Sequence, residues 1–336
     1  MSVDILQHVS LQGRNTLGVE AYAEYLVDIT RDTDLPLALD FARRKGLAIT
    51  VLGGGSNSVF GGNIKGLVIC LQTRGIVFTS TGVVVAAGEV WQNLVMSCLD
   101  AGYSGLENLT LIPGSVGAAP IQNIGAYGVE LSEFVTSVSA VEIATGVTLL
   151  LNREDCRFGY RDSIFKHALK GQVIITRVSL QLARTYTPRL EYLELQRWLE
   201  NAPAALISPR QVSEAVADIR RLKLPSPQSV GNVGSFFKNP VVAPEQLEQL
   251  CQQHPNMPVR LQESGDGKLS AAWLIDQAGL KELRVGDAMV SKQHALVLVN
   301  TGQATGADII ALAEAVRARV LGKFGLTLEI EPVIYS

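Results

Sequence analysis

Cysteine is scarce in this chain, and what there is points away from metal or disulfide chemistry. Cys70, Cys98, Cys156 and Cys251 are far apart and show no Cys-x-x-Cys spacing, so free thiols in a reducing compartment are expected. The four histidines, His8, His167, His254 and His294, are equally dispersed. No metal is expected from them, and no nucleophile elbow of a Ser-His-Asp hydrolase accompanies them. Charge of one sign is also lacking: the net charge is −3 and the longest basic run is Arg43-Arg44-Lys45. That excludes the footprint of a non-specific nucleic-acid binder or a protein adhering to anionic membrane. No apolar run approaches bilayer-spanning length. Asp4 stands where a signal peptide would carry positive charge. A soluble cytoplasmic protein is expected, with no nucleic-acid or membrane partner.

What is present is an ordinary globular composition over 336 residues, 47% hydrophobic and 18% charged, with 31 glycines. That length favours two or three domains. Apolar runs predict strands over 47–52, 67–71, 83–87, 173–182 and 295–299, and a hairpin of 138–144 with 147–151 around Thr145-Gly146. Helical spacing predicts helices over 91–101 (ending at Gly102), from Pro209 behind a Ser208/Gln211 capping box, over 271–278 (ending at Gly279), and behind Thr305. A last strand is expected over 326–335. Helices and hairpins without regular βαβ alternation argue for an α+β fold.

Three constellations could carry chemistry. Gly53-Gly54-Gly55-Ser56-Asn57 follows a strand and reads either as a backbone nest for a pyrophosphate or as a tight turn. No Gly-Lys-Ser/Thr follows, so it is not a Walker loop, and Ser58 stands where a Rossmann fingerprint has its third glycine. The 105–128 stretch holds Asn108, Pro113, Gly114, Gly117, Gln122, Asn123, Gly125, Ala126 and Tyr127. It is long, glycine-rich and nearly uncharged, as a loop wrapped around a large flat phosphorylated ligand would be; a self-packed Ω-loop is the alternative. Gly234-Ser235-Phe236-Phe237-Lys238-Asn239-Pro240 sets a hydroxyl beside two aromatics able to wall a site against water. Two lesser signals join these. Arg161, beside the Tyr160 phenol, suits a planar carboxylate, although a surface pair with Asp162 would also explain it. Glu329 and Glu331 share one face of the expected last strand, where a solvated edge is the plainer reading.

Taken together, LGGGSN (52–57), GLENLTLIPGSVGAAPIQNIGAYGVEL (105–131), CRFGYRDSIFK (156–166), GNVGSFFKNP (231–240) and the Glu331 region resemble the UDP-N-acetylenolpyruvoylglucosamine reductase family, from Asn15 to Glu331. The resemblance implies a two-lobed vanillyl-alcohol-oxidase-type (PCMH-type) FAD-binding domain plus a smaller α+β substrate-binding domain. The expected division is FAD lobes at 1–66 and 67–187, a tyrosine loop and helix at 188–220, a substrate domain at 221–322 and a closing strand at 323–336. It implies Ser235 as proton donor, with Arg161 and Glu331 as the other catalytic residues. Both glycine-rich segments, Gly53 to Asn57 included, would bind FAD. Tyr160, Tyr192, Lys223, Asn239 and His294 would meet the sugar nucleotide. Three positions depart from the family pattern: Ile330 replaces a proline, His294 a glutamine, and Leu17 a phenylalanine.

The chemistry implied is hydride addition to the terminal carbon of an enol ether that bears a carboxylate. Negative charge then develops beside and within that carboxylate, and Arg161 with a protonated Glu331 would stabilise it. Such a carbanion is basic enough to take a proton from a serine. NADPH is the implied reductant of FAD. No histidine lies in either glycine-rich segment, so FAD is expected to be non-covalent, and the enzyme to be a monomer. Two rivals remain at this level: a hydroxy-acid oxidase of the same flavin fold, and a non-catalytic flavin- or sugar-nucleotide-binding module.

Overall fold

The computed structural model describes residues 3–200 and 207–335. The first two residues of the chain start, and 201–206 of the expected 188–220 segment, lie outside them. The chain folds into two compact units: unit 1 is Met1–Val9, Ala23–Gly55 and Ile64–Leu222, and unit 2 is Ser10–Tyr22, Ser56–Asn63 and Lys223–Ser336.

Unit 1 holds two sheets. The first has the strand order Ile5–Ser10, Tyr22–Ile29, Ile64–Leu71, Ile49–Leu52. Ile64–Leu71 runs parallel to both Tyr22–Ile29 and Ile49–Leu52. Parallel neighbours need a crossover, and helix α1 (Leu35–Lys45) supplies one. It packs Leu35, Ala38, Leu39 and Ala42 onto Val27, Ile29, Leu67 and Ile69. It ends at Gly46, φ +65°, with Arg43, Arg44 and Lys45 in its last turn, where cations meet the negative end of the helix dipole. The basic run seen in the sequence is therefore a helix terminus.

The second sheet is antiparallel, ordered Thr148–Asn152, Val135–Glu142, Val173–Gln181, Gly82–Ala86, Ile76–Phe78. Its first pair is the expected hairpin, with Gly146 at φ +75°. Helix α2 (Trp91–Asp100) buries Trp91, Leu94, Val95 and Cys98 against Val83, Val85, Val138, Val178 and Leu180. Helices α3 (Leu193–Trp198) and α4 (Pro209–Lys223) share a small core of Leu195, Ile207, Val212, Ala215, Val216 and Ile219. At the start of α4, Gln211 Oε1 accepts from Ser208 N–H (2.9 Å) and Ser208 Oγ accepts from Gln211 N–H (3.3 Å), the expected capping box.

Unit 2 has an antiparallel sheet ordered Gly231–Ser235, Val297–Asn300, Ala288–Val290, Arg284–Val285, and a smaller one of Val241–Val242, Gly267–Leu269 and Val259–Leu261. Helices α5 (Pro244–Gln253), α6 (Ala271–Gln277) and α7 (Gly306–Phe324) share one core that includes Phe236, Phe237, Leu274, Ile309, Leu312 and Val316. A capping box between Thr305 and Asp308 starts α7, and Gly325 at φ +66° ends it.

The terminal tract departs from expectation. The tract 326–335 is not one strand: Lys238 N–H donates to Glu329 O (2.9 Å) and Glu331 N–H to Phe236 O (3.0 Å). Past Pro332 the chain changes partner, and Val333–Tyr335 pairs in parallel with Ser58–Phe60. Proline has no N–H to continue a ladder, so the switch falls where the sequence permits it. This pairing, with Leu17, Val19 and Val59 in the unit 2 core, explains why Ser10–Tyr22 and Ser56–Asn63 belong with the C-terminal residues and not with an N-terminal lobe 1–66.

Candidate active site

In unit 1 the two glycine-rich runs pack on each other. A Cβ on Gly54 would lie 2.9 Å from Gly114 Cα, and one on Gly53 would lie 2.8 Å from Ser115 Oγ. The partner loop cannot retreat easily. Gly114 O accepts from Trp91 N–H (3.0 Å), Val116 N–H donates to Glu89 O (2.8 Å) and Gly117 N–H to Ala87 O (2.8 Å). The division between the units falls inside the first run, after Gly55.

Asn108 is fully buried, and its Nδ2 donates to Tyr127 O and Arg189 O, each at 2.9 Å. Its Oδ1 is buried with no protein partner, and so is the Tyr186 hydroxyl. Asn123 is spent internally: Nδ2 donates to Glu130 Oε2 (2.8 Å) and Gly159 O (3.0 Å), and Oδ1 accepts from Ser132 N–H (2.8 Å). Its contribution to a site is therefore the shape of the turn that carries Gly125, Ala126 and Tyr127. Gln122 is half-buried at the start of the same turn.

Arg161 is brought to this turn. Its guanidinium donates to Gly125 O and, at 3.5 Å, to Asn123 O, and lies over the Tyr160 ring at 5.4 Å. Asp162 is bonded instead to His167 (2.8 Å), so the two neighbours answer to different partners. Asn123, Tyr127 and Arg161 all have left-handed backbones, with φ +46°, +49° and +53°. Side chains seldom adopt that conformation unless their surroundings impose it, and such positions concentrate at functional sites. Tyr192 precedes α3 and meets Tyr127 edge to face, with centroids 5.2 Å apart.

Unit 2 brings Ser235, Asn239 and Glu331 onto adjoining chain segments. Ser235 ends its strand after an irregularity in pairing between Asn232 and Ser235. Gly234 there takes φ +71°, which a side chain would resist. Asn232 fixes the turn, its Oδ1 accepting from Gly234 N–H (3.0 Å) and its Nδ2 donating to Pro225 O and Val230 O. The two phenylalanines do not wall a pocket around the hydroxyl, contrary to the sequence reading. Phe236 and Phe237 are core residues at 0% and 1% exposure, whereas Ser235 is exposed. They anchor the strand end, so the serine points out of a rigid base.

Glu331 is half-buried, and its N–H bonds Phe236 O, one residue past the serine. Asn239 Oδ1 accepts from Ala271 N–H (3.0 Å) at the start of α6, leaving Nδ2 as the group to offer a ligand. His294 Nδ1 accepts from Leu296 N–H (3.3 Å) within its own turn. Lys223 is half-buried at the end of α4. Another lysine of unit 2, Lys238, pairs with Glu329, which accounts for that glutamate without a ligand.

Residues 226–335 match the family described as UDP-N-acetylenolpyruvoylglucosamine reductase, C-terminal domain, and residues 23–152 match an FAD binding domain. The UDP-N-acetylenolpyruvoylglucosamine reductase of Pseudomonas syringae pv. syringae is 42% identical over 340 residues, covering 100% of each chain. The chain belongs to the UDP-N-acetylenolpyruvoylglucosamine reductase family. The Paraburkholderia xenovorans member is 44% identical over 339 residues, covering 99% of this chain and 98% of its own. Among solved structures, the UDP-N-acetylenolpyruvylglucosamine reductase of Thermus caldophilus aligns with a TM-score of 0.67 at 29% identity, covering 100% of both chains. The α+β fold with an FAD-binding domain stands as the sequence indicated.

The family's flavin fits the residues present. A buried acceptor with no protein donor, Asn108 Oδ1, is unusual unless a ligand or water completes it. Glycines 53 and 54 leave room for nothing but hydrogen on the side facing Gly114 and Ser115. Sequence reasoning missed two features here. Glu107 is buried at 1% exposure, accepts from Gly105 N–H (2.7 Å), and is pushed up in pKa by burial. Arg220 lies in the electrostatic neighbourhood of Tyr127 and Arg161. Its signal was available: positions 212, 216 and 220 recur every four residues along α4, so an arginine terminates an apolar stripe.

Proposed function

We infer that this chain is an FAD-dependent oxidoreductase that reduces UDP-N-acetylglucosamine enolpyruvate to UDP-N-acetylmuramate with NADPH, in peptidoglycan precursor synthesis. The observation that carries this is full-length relatedness at 42% identity to reductases of that name. Bound FAD would supply the hydride chemistry between NADPH and the terminal carbon of the enol ether. The chain's own residues do the rest. Unit 1 contributes the loops of Gly53 to Gly55, Asn108, Pro113, Gly114, Gly117 and Gln122 to Tyr127 to non-covalent flavin binding; Ser56 and Asn57 continue the first loop. Arg161 is held by the carbonyls of Asn123 and Gly125 and presents its charge to the substrate carboxylate, where charge develops. Unit 2 contributes Ser235, which delivers its Oγ proton to the carbon beside that carboxylate, and Glu331, whose carboxyl supports the same charge. Lys223, Asn239, Tyr160, Tyr192 and His294 hold the sugar nucleotide. Among the described residues no helix is long and apolar enough to cross a membrane, and we place the enzyme in the cytoplasm as a monomer, matching its expected soluble nucleotide substrates.

The test is NADPH oxidation by the purified yellow protein, with and without the enolpyruvyl sugar nucleotide, and the product followed by mass. Substrate-dependent oxidation with a gain of two hydrogens is expected. Bleaching of the flavin by a hydroxy acid without NADPH would instead identify an oxidase, and flavin binding without turnover would identify the non-catalytic module.

A further inference from the structure

Arginines on the outer face of α4 have carboxylate partners: Arg210 pairs with Asp100, and Arg221 with Asp218 at 2.9 Å. Arg220 does not. It follows Ile219 at the edge of the apolar face against which Tyr127 and Tyr186 pack, and it is half-buried. Among the described residues its guanidinium makes no hydrogen bond and no ion pair. Its electrostatic neighbours are the Tyr127 phenol and a second guanidinium, Arg161. Burial pushes Tyr127 up to about 12, so the phenol stays neutral and cancels neither charge. Burial, and the charge of Arg161, lower the Arg220 pKa against the opposing pull of Tyr127. An arginine nevertheless keeps its proton.

A half-buried cation beside a like charge, with no anion to compensate it, destabilises the free protein. A bound anion would remove that penalty, and a guanidinium is shaped for a planar, delocalised one. The reaction inferred above supplies it. As hydride arrives, the substrate carboxylate passes from one negative charge to two. Arg161 matches one of them, and the second calls for a further positive group beside it.

We propose that Arg220 is the second cation of the carboxylate site, joining Arg161 in binding the enolpyruvyl carboxylate and the charge that grows on it. The inference rests on the proposed function and goes beyond it by assigning the second charge to a residue. The experiment compares wild-type holoenzyme with Arg220→Gln and Arg220→Lys in three measurements. In thermal unfolding without substrate, Arg220→Gln should match or exceed wild type, because it removes an uncompensated buried charge. Titration of the enolpyruvyl sugar nucleotide, read from the flavin spectrum, should show affinity lowered about tenfold or more in Arg220→Gln, the scale of a lost hydrogen bond to a charged group. Arg220→Lys should fall between. The methyl ester of the substrate should bind wild type and Arg220→Gln alike, since the ester has no charge to lose. A lower unfolding temperature with unchanged substrate affinity would make Arg220 a structural residue and overturn the proposal. So would an altered flavin reduction potential with unchanged substrate affinity, which would assign the cation to the flavin. Wild-type protein that ignores the substrate would overturn the proposed function itself, a distinct result.

Discussion

Replacing Gly54 by alanine isolates the packing of the two glycine-rich runs from everything else in the site. The added Cβ would sit 2.9 Å from Gly114 Cα and 3.4 Å from Gly114 C. Carbon atoms rest at about 3.5 Å or more, so the first contact is roughly 0.6 Å too short. Backbone must move, and that backbone is tied down by the bond from Trp91 N–H to Gly114 O (3.0 Å). Overpacking of this kind costs about 1–3 kcal/mol. Gly54 does not need a left-handed φ, so alanine also restricts the unfolded chain and returns about 0.4–1 kcal/mol. The net loss is about 1–2 kcal/mol, which lowers the unfolding temperature by about 1–3 °C in a protein of this size. Displacing the loops proposed to hold the flavin should also weaken flavin affinity, by about tenfold for each 1.4 kcal/mol. Gly54→Asp adds a negative charge beside the expected pyrophosphate and should release flavin almost completely. Flavin content by absorbance and unfolding of the flavin-free protein are the assays. Gly62→Ala, whose Cβ would meet nothing within 4 Å, is the control. A Gly54→Ala protein with full flavin and the unfolding temperature of that control would refute the reasoning.

Three further outcomes are expected. Asn108→Ala strands the carbonyls of Tyr127 and Arg189 and should cost about 1–3 kcal/mol for each group left unsatisfied, with faster proteolysis of the 186–200 segment as the readout. Tyr192→Phe should raise the Michaelis constant for the sugar nucleotide a few-fold, leaving flavin reduction by NADPH unaltered in stopped-flow absorbance. The Asp308 carboxyl is held below its ordinary pKa by the N–H and hydroxyl of Thr305. Its support for α7 is therefore present above the usual aspartate range, about pH 4, and is lost as pH falls through the folded value. Asp308→Asn should unfold earlier than wild type at neutral pH, and the gap should close in acid.

Local signals were legible because they are written in a few adjacent residues. Thr145-Gly146 marked a hairpin, Thr305 with Asp308 and Gly325 bounded α7, and the glycines at 53, 54 and 114 marked two runs that pack closely on each other. Burial of a side chain was less legible. Phe236 and Phe237 beside a serine read as walls of a pocket, but both turn into the core, because nothing in a short string says which side faces the protein. Long-range pairing was not legible at all. The parallel match of Ser58–Phe60 with Val333–Tyr335 joins segments far apart in sequence, and it places 56–63 in unit 2. Pro332 could have warned that the last strand would break. Arg220 was overlooked because a helix ending in several arginines reads as a solvated face until packing shows which of them has no partner.

The central claim is that Ser235 acts only when carbon is protonated, after hydride has already reached the flavin. Anaerobic stopped-flow absorbance of NADPH-reduced holoenzyme mixed with the enolpyruvyl sugar nucleotide tests it directly, comparing wild type with Ser235→Ala. Flavin reoxidation should slow by about 10²-fold or more in the alanine variant, the usual scale for a lost general acid, while prior reduction by NADPH proceeds at the wild-type rate. Reoxidation of the Ser235→Ala flavin at the wild-type rate, or equal slowing of both half-reactions, would contradict the account.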